Sequence, residues 1–314
     1  MSTENMLSRP ALMLAIVFVA GCETLPNVPL QPPVSFAYVE YCERVDDPGS
    51  ADGSIAQKAE DAIEPPEHDA KAVARYMLEK SAFAVADSAT GIDACIQTFE
   101  RGEQIFTRTL NGQQQVIREI GGYKKSSDEP IAQVQESITL MWQNDQSARG
   151  TYVALQTQDK TGAAFWAERR AAAHTRLLDG QSASFIESLL AQYPWIDRDR
   201  FGPEVSAHAW LLTQHADHRP DLQQRVLSRM EPLLESNGVS RKNYAYLWDR
   251  VAVNSGRSQR YGTQPTWECE NGAMALKPLE DPANVNARRT KMGLNTVEQG
   301  LASMTAQYCG ATKQ

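Results

Sequence analysis

An apolar run from Ala11 to Ala20, preceded by Arg9 and stopping at Gly21-Cys22, restricts this chain more than any other stretch. The run is about half of the roughly 20 residues that a bilayer-spanning helix needs, so it reads as a cleaved export signal and not as a membrane span. Export sets the redox chemistry of whatever follows. With Cys22 set aside, Cys42, Cys95, Cys269 and Cys309 remain, an even number for an oxidising compartment in which thiols pair. Three connectivities are open; joining Cys42 to Cys95 and Cys269 to Cys309 would put one covalent tie in each half of the chain. A zinc knuckle is the competing use of cysteine, but no two of these thiols have knuckle spacing and no histidine lies near them.

Val19-Ala20-Gly21-Cys22 resembles the bacterial lipobox, which implies cleavage before Cys22 and acylation of its thiol. Met6 as an alternative start would remove Glu4 and leave Arg9 as the charge ahead of the apolar run, as export signals prefer. Glu23 in place of aspartate after the cysteine leans, by the same resemblance, towards the outer membrane. Pro26, Pro29, Pro32 and Pro33 then favour an extended tether. At about 3.1 Å per residue, the 22–33 segment reaches on the order of 30 Å beyond the headgroups.

A net charge of -8 without a basic block argues against a nucleic-acid partner. It also supplies no polybasic patch for anionic lipid, so the membrane partner is reached through the acyl chains alone.

The expected fold is mainly α: a helical C-terminal domain with a small β-hairpin, after a smaller helical N-terminal region. We divide the chain into 1–21 (signal), 22–33 (acylated cysteine and tether), 34–121 and 131–314, with the punctuated stretch Gly121 to Pro130 as the internal boundary. Val34 to Cys42 reads as a short strand or loop. Ala70 to Val85 and Ile92 to Leu110 have helical spacing, although Asn111-Gly112 offers a hairpin as the alternative to the second. Ile131, Val134, Ile138, Met141 and Trp142 make an apolar stripe whose continuation meets Asp145 and Arg149, an i,i+4 ion pair. Helices are expected over 163–178, 184–192 and 204–214. The next opens with Pro220 and ends at Asn237-Gly238, and Ser240 caps one over 241–254. Asn271-Gly272 marks the hairpin.

Two polar clusters stand out among these helices. One is Gln214-His215-Ala216-Asp217-His218, in a turn between two apolar helices; the other is the loop Arg257-Ser258-Gln259-Arg260-Tyr261-Gly262-Thr263-Gln264, which follows a helix containing Asp249 and Arg250. His215 is the candidate general base, with Asp217 or Asp249 to orient its imidazole. Arg257, Arg260 and Arg289 are candidate clamps for a carboxylate or phosphate through paired N–H donors. Gln259, Tyr261, Thr263 and Gln264 complete a candidate ligand-binding set. The structural alternative makes Asp217 a helix cap, His215 a core-edge histidine, and the arginines partners of Asp249 and Asp145.

Trp210-Leu211-Leu212 with Gln214 to Asp217, Tyr246-Leu247 with Asp249-Arg250-Val251, Gln259 to Gln264, Glu280-Asp281-Pro282, Arg288-Arg289 and Gly293-Leu294 together resemble an uncharacterised bacterial domain-of-unknown-function family, family 6624. The resemblance runs from about Trp142 to Leu301 and includes Asp145-Gln146, Arg149 and Trp195. Pro194 stands where the family pattern has glycine before that tryptophan. The family carries no agreed activity, so the resemblance points to a site without naming a reaction.

No metal or cofactor is expected: His208 and His215 lie seven apart, too far for joint ligation, and glycine-rich phosphate loops, dinucleotide fingerprints and nucleophile elbows are missing. The expectation is an outer-membrane-anchored lipoprotein that binds an envelope component or polar ligand. The alternatives are an envelope hydrolase or transferase with His215 as base, and a scaffold with no small ligand.

Overall fold

The computed structural model describes residues 36–45, 62–120, 122–270 and 272–309. The export signal, Cys22 and the tether lie outside the described residues. Packing divides the chain into two units, residues 1–188 and 189–314. The stretch 121–130, expected as the internal boundary, falls between two helices that pack on each other inside the first unit.

The first unit is built of α1 (Val39–Glu43), α2 (Ala70–Asp87), α3 (Ile92–Arg118), α4 (Glu129–Leu155) and α5 (Gly162–Leu190), the last of which runs two residues past the division. Asp69 caps α2 by accepting from the Ala72 amide at 3.0 Å, and Ala70, Ala74, Leu78, Ala82 and Val85 form its buried face. In α3 the buried positions are Cys95, Phe99, Gly102, Phe106, Leu110 and Gln114. Their spacing carries a single helix straight through Asn111-Gly112, so the hairpin alternative is discarded.

Aromatic rings fill the core where these helices meet. Phe99 and Trp166 meet edge to face at 4.7 Å, and Tyr38 stacks on Phe99 at 4.9 Å. Full burial of each of the two large rings is worth about 1.5–3 kcal/mol. Where Val34 to Cys42 is described, it is irregular over 36–38, as a loop would be, and a short helix from Val39, not a strand. Phe36, Tyr38 and Tyr41 pack against this core, and Cys42 is bonded to Cys95, which fits one helical turn and no alternating pattern.

The two helices expected over 163–178 and 184–192 are one. Gly180 does not break it: a Cβ there would meet the Ala70 Cβ at 2.6 Å, so the glycine lets the start of α2 come close. Gly102 does the same for α3 against Trp166 of α5, where the added carbon would lie 2.6 Å from the indole.

The second unit contains α6 (Arg198–Phe201), α7 (Pro203–Gln214), α8 (Pro220–Met230), α9 (Arg241–Asn254), β1 (Pro265–Glu270), β2 (Ala273–Leu276), α10 (Val285–Lys291) and α11 (Val297–Tyr308). Proline opens both α7 and α8, as its missing N–H allows. Ser240 caps α9 by accepting from the Asn243 amide at 3.3 Å, and Thr296 with Gln299 forms a capping box on α11. The helix expected to reach Asn237 stops being α-helical at Met230 and continues as a 3-10 turn over Glu231–Leu233. Pro232 explains the change, because it has no N–H to give to the carbonyl four residues back.

Trp195, Phe201, Val205, Leu212, Leu222, Met230, Leu247 and Val251 are buried in this unit. The hairpin pairs β1 and β2 antiparallel, with Cys269 opposite Met274 and an irregularity between Pro265 and Cys269. A disulfide joins Cys269 to Cys309, just beyond α11, and the Thr305 hydroxyl of α11 accepts from the Met274 amide at 3.1 Å. No helix among the described residues is long and apolar enough to cross a membrane.

Candidate functional site

Asp249 is fully buried on α9, and its carboxylate organises the loop that follows the helix. It accepts from the backbone amides of Arg260 at 2.7 Å, Tyr261 at 3.0 Å and Thr263 at 2.9 Å, and from the Thr263 hydroxyl at 2.9 Å. Burial pushes this carboxyl above its ordinary value against the pull of those donors. The side chain of Gln259 closes the loop on itself. Its oxygen accepts from the Gln264 amide at 2.8 Å, and its nitrogen donates to the Gln264 carbonyl at 3.0 Å and to that of Lys277 at 2.8 Å.

From the other side, the Arg289 guanidinium on α10 donates to the carbonyls of Tyr261 at 2.6 Å and Gly262 at 3.0 Å, and also to that of Asn295. Arg288 adds a bond to the Arg260 carbonyl at 2.9 Å and an ion pair with Asp281 at 3.1 Å. Buried Arg289 therefore spends its fork on backbone oxygens, and the sequence-based assignment of it as an anion clamp is corrected to a loop support.

The two polar clusters do converge, through Arg250. This side chain pairs with Asp217 at 2.6 and 2.8 Å and reaches the Gln264 side-chain oxygen at 3.3 Å. Asp217 also accepts from Asn254 at 2.8 Å and Gln223 at 3.2 Å. Burial alone would raise the Asp217 carboxyl, but Arg250, Gln223 and Asn254 outweigh it and hold it below the ordinary value.

His215 is the C-terminal cap residue of α7 and is half-buried. The two carboxylates expected to orient its imidazole are engaged as described above, Asp217 with α9 and Asp249 with the loop. Two turns inside α7, burial lowers the His208 imidazole to about 4, so it is neutral at physiological pH.

On the outer side of the loop, Arg260 and Arg257 lie over the half-buried Trp248 ring, at 4.2 Å and 5.8 Å from its centre. Tyr261 meets the same ring edge-on at 6.0 Å. Arg260 is paired with Glu280 at 3.0 Å, and Arg257 is exposed. Of the candidate arginines, these two remain directed at the surface.

The first unit holds a second cluster. Arg149 on α4 bonds Asp145 at 3.0 Å and also reaches Asp179 on α5, while Gln146 donates to Asp145 at 2.7 Å. Asp145 and Asp179 are both buried. Burial, with Asp145 adding to it and Arg149 and Arg176 opposing it, pushes the Asp179 carboxyl up to about 7. The i,i+4 pair was visible in the sequence. Asp179 was not, because its partner lies thirty residues back and nothing near it in the chain marks it.

Comparison with curated proteins and with solved structures gives no match. A family described as a family of unknown function (DUF6624) matches over residues 132–313, which takes in Asp145, Asp179, Asp217, Asp249 and the Arg257 to Gln264 loop, and the chain belongs to that family.

Proposed function

We propose that this protein is an outer-membrane lipoprotein, acylated at Cys22, whose second unit binds an anionic envelope component through Arg257 and Arg260. The observation that carries this reading is the division of labour in the loop. Asp249, Gln259 and Arg289 fix its backbone from within, while two guanidiniums are displayed over Trp248 on its outer side. A backbone fixed in advance loses little entropy when a ligand arrives. The exposed Arg257 guanidinium offers paired N–H donors that suit carboxylate or phosphate oxygens, and Arg260, whose Nε and Nη2 are bonded to Glu280, adds its remaining N–H groups and its charge. The proline tether holds this surface clear of the lipid, and the acyl chains supply the membrane partner.

The test is retention of the full chain on isolated sacculi and on lipopolysaccharide vesicles. The Arg257→Gln, Arg260→Gln double variant should lose tenfold or more in retention with an unchanged melting temperature, and wild-type retention should fall as salt rises. Equal retention of both proteins would end this reading.

A hydrolase or transferase acting on envelope material is the second reading, and one observation favours it: a buried carboxyl at about 7 both gives and takes a proton at neutral pH. That observation moves the candidate acid–base group from His215 to Asp179. Turnover of labelled sacculi that disappears in Asp179→Asn would support it.

A further inference from the structure

The two disulfides differ in their surroundings. Cys42 and Cys95 are both fully buried, in a core with Phe99, Trp166 and the alanines of α2. Cys269 is exposed on the hairpin, and Cys309 is half-buried at the C-terminal cap of α11. A disulfide is opened by a thiolate that attacks one of its sulfurs, so access decides which bond exchanges in the folded protein. Core packing closes off the first bond; the second lies at the surface.

The surface bond holds a helix that has little else to hold it. Of the twelve residues of α11, all of them described, Val297 alone is buried. A helix of about 12 residues is marginal in water by itself. Towards its C-terminus α11 is joined to the hairpin by the disulfide and by the Thr305 to Met274 hydrogen bond. Its other end touches the parts that fix the Arg257 to Gln264 loop. A Cβ at Gly262 would lie 3.2 Å from Val297 Cγ2, and a Cβ at Gly300 would lie 2.8 Å from Arg289 Nη2, so α11 rests on the loop and on the guanidinium that supports it. The Val297 amide donates to the Asn286 side-chain oxygen on α10 at 2.8 Å, and Arg289 donates to the carbonyl of Asn295, just ahead of α11.

From this arrangement we infer that Cys269–Cys309 is a redox-sensitive clasp on the Arg257 to Gln264 loop. Closed, it pins α11 against Arg289 and Gly262; opened by a dithiol, it frees the helix and loosens the loop. One thiolate of the dithiol attacks the Cys269 sulfur, breaking the S–S bond and expelling the Cys309 thiolate, which takes up a proton. The second thiol of the reductant loses its proton, attacks its partner's sulfur and releases Cys269, which is protonated in turn. Two electrons and two protons have then passed to the protein, and the reductant leaves as a disulfide. The clasp adds regulation to the anion-binding site: control of loop order stands by itself, while its effect on binding rests on that reading.

The experiment treats the purified full-length protein with dithiothreitol in the absence of denaturant and maps alkylated thiols over time by mass spectrometry. Cys269 and Cys309 should be alkylated together, about tenfold or more faster than Cys42 and Cys95. Once that bond alone is open, amide exchange should quicken about tenfold or more at Met274, Val297, Tyr261 and Thr263, and stay unchanged at Phe99. The Cys269→Ser, Cys309→Ser double variant should show the same exchange without reductant and no response to it. Equal reduction rates for the two bonds, or unaltered exchange at Tyr261 and Thr263 after the surface bond is opened, overturns the inference. Retention on sacculi separates the clasp from the reading beneath it. Reduced wild type should be retained about threefold less or weaker still, with recovery on reoxidation. Retention that depends on Arg257 and Arg260 yet is equal in the two redox states removes the clasp and leaves the anion-binding reading. Quickened loop exchange with retention indifferent to both arginines keeps the clasp and ends that reading.

Discussion

In the first unit one guanidinium, Arg149, serves two buried carboxylates, and Asp179 is left with a carboxyl at about 7. In the second unit Asp217 has Arg250, Gln223 and Asn254 around it and sits below its ordinary value, while Asp249 gathers three backbone amides and a hydroxyl. Burial acts on all of these acids. What differs is the number and kind of donors each one meets. At Asp179 burial outweighs the guanidinium, at Asp217 the side-chain donors outweigh burial, and at Asp249 burial still raises the carboxyl while its four donors make it an anchor for backbone.

The largest expected effect is at the anchor. Asp249→Ala removes the acceptor for four donors, at about 1–3 kcal/mol for each one left unsatisfied. A loss of about 4 kcal/mol or more is expected, read as a melting temperature lower by about 10 °C. A drop of only a degree or two would mean that the loop does not depend on its buried acid, and the contrast between the units would dissolve.

Next in size is Arg149→Gln, which takes the shared cation from two buried carboxylates and should cost about 3 kcal/mol at pH 8. The cost should shrink at pH 5, where Asp179 is already protonated in the folded protein. Equal costs at the two pH values would contradict the assignment of Asp179.

The wild-type pH dependence sharpens the same point. The Asp179 carboxyl is raised from 3.8 to about 7 on folding, so the folded state holds its proton over a range in which the unfolded state has lost it. Stability from this group is therefore greatest at low pH and falls as pH climbs from about 4 to about 7. Melting temperatures across that window should decline in wild type and decline less in Asp179→Asn.

Asp217→Asn should have the smallest effect. With that side chain 41% exposed, solvent screening limits the loss to about 0.5–1 kcal/mol. The sign is opposite to that of Asp179. A lowered carboxyl stabilises above its unfolded value of about 3.9 and loses that contribution as pH falls through the folded value, so the variant should match wild type in strong acid.

Much of this architecture was legible in the chain. Ser240, Pro220 and Asn271-Gly272 marked α9, α8 and the hairpin because caps and turns are local chemistry. The disulfides Cys42–Cys95 and Cys269–Cys309 were one of three pairings that arithmetic allowed. The break expected between 178 and 184 does not occur: glycine weakens a helix in isolation, and only the closeness of Ala70 in space shows why Gly180 is tolerated within it. Asp217, Asp249 and Gln259 to Gln264 stood out in the sequence, but not the contacts they make. Whether Arg289 holds a ligand or two carbonyls depends on where the loop backbone passes, and that is set by tertiary structure. Asp179 and Arg250 were missed as site residues for the same reason, since their partners are distant in sequence.

Ligand binding at Arg257 and Arg260 requires the Arg257 to Gln264 loop to be fixed before any ligand arrives. Amide hydrogen exchange of the free full-length protein tests this at Arg260, Tyr261 and Thr263, whose N–H groups point at Asp249. Protection comparable to the buried face of α9, lost in Asp249→Ala, is the predicted result. Exchange as fast as in an open surface loop would contradict it.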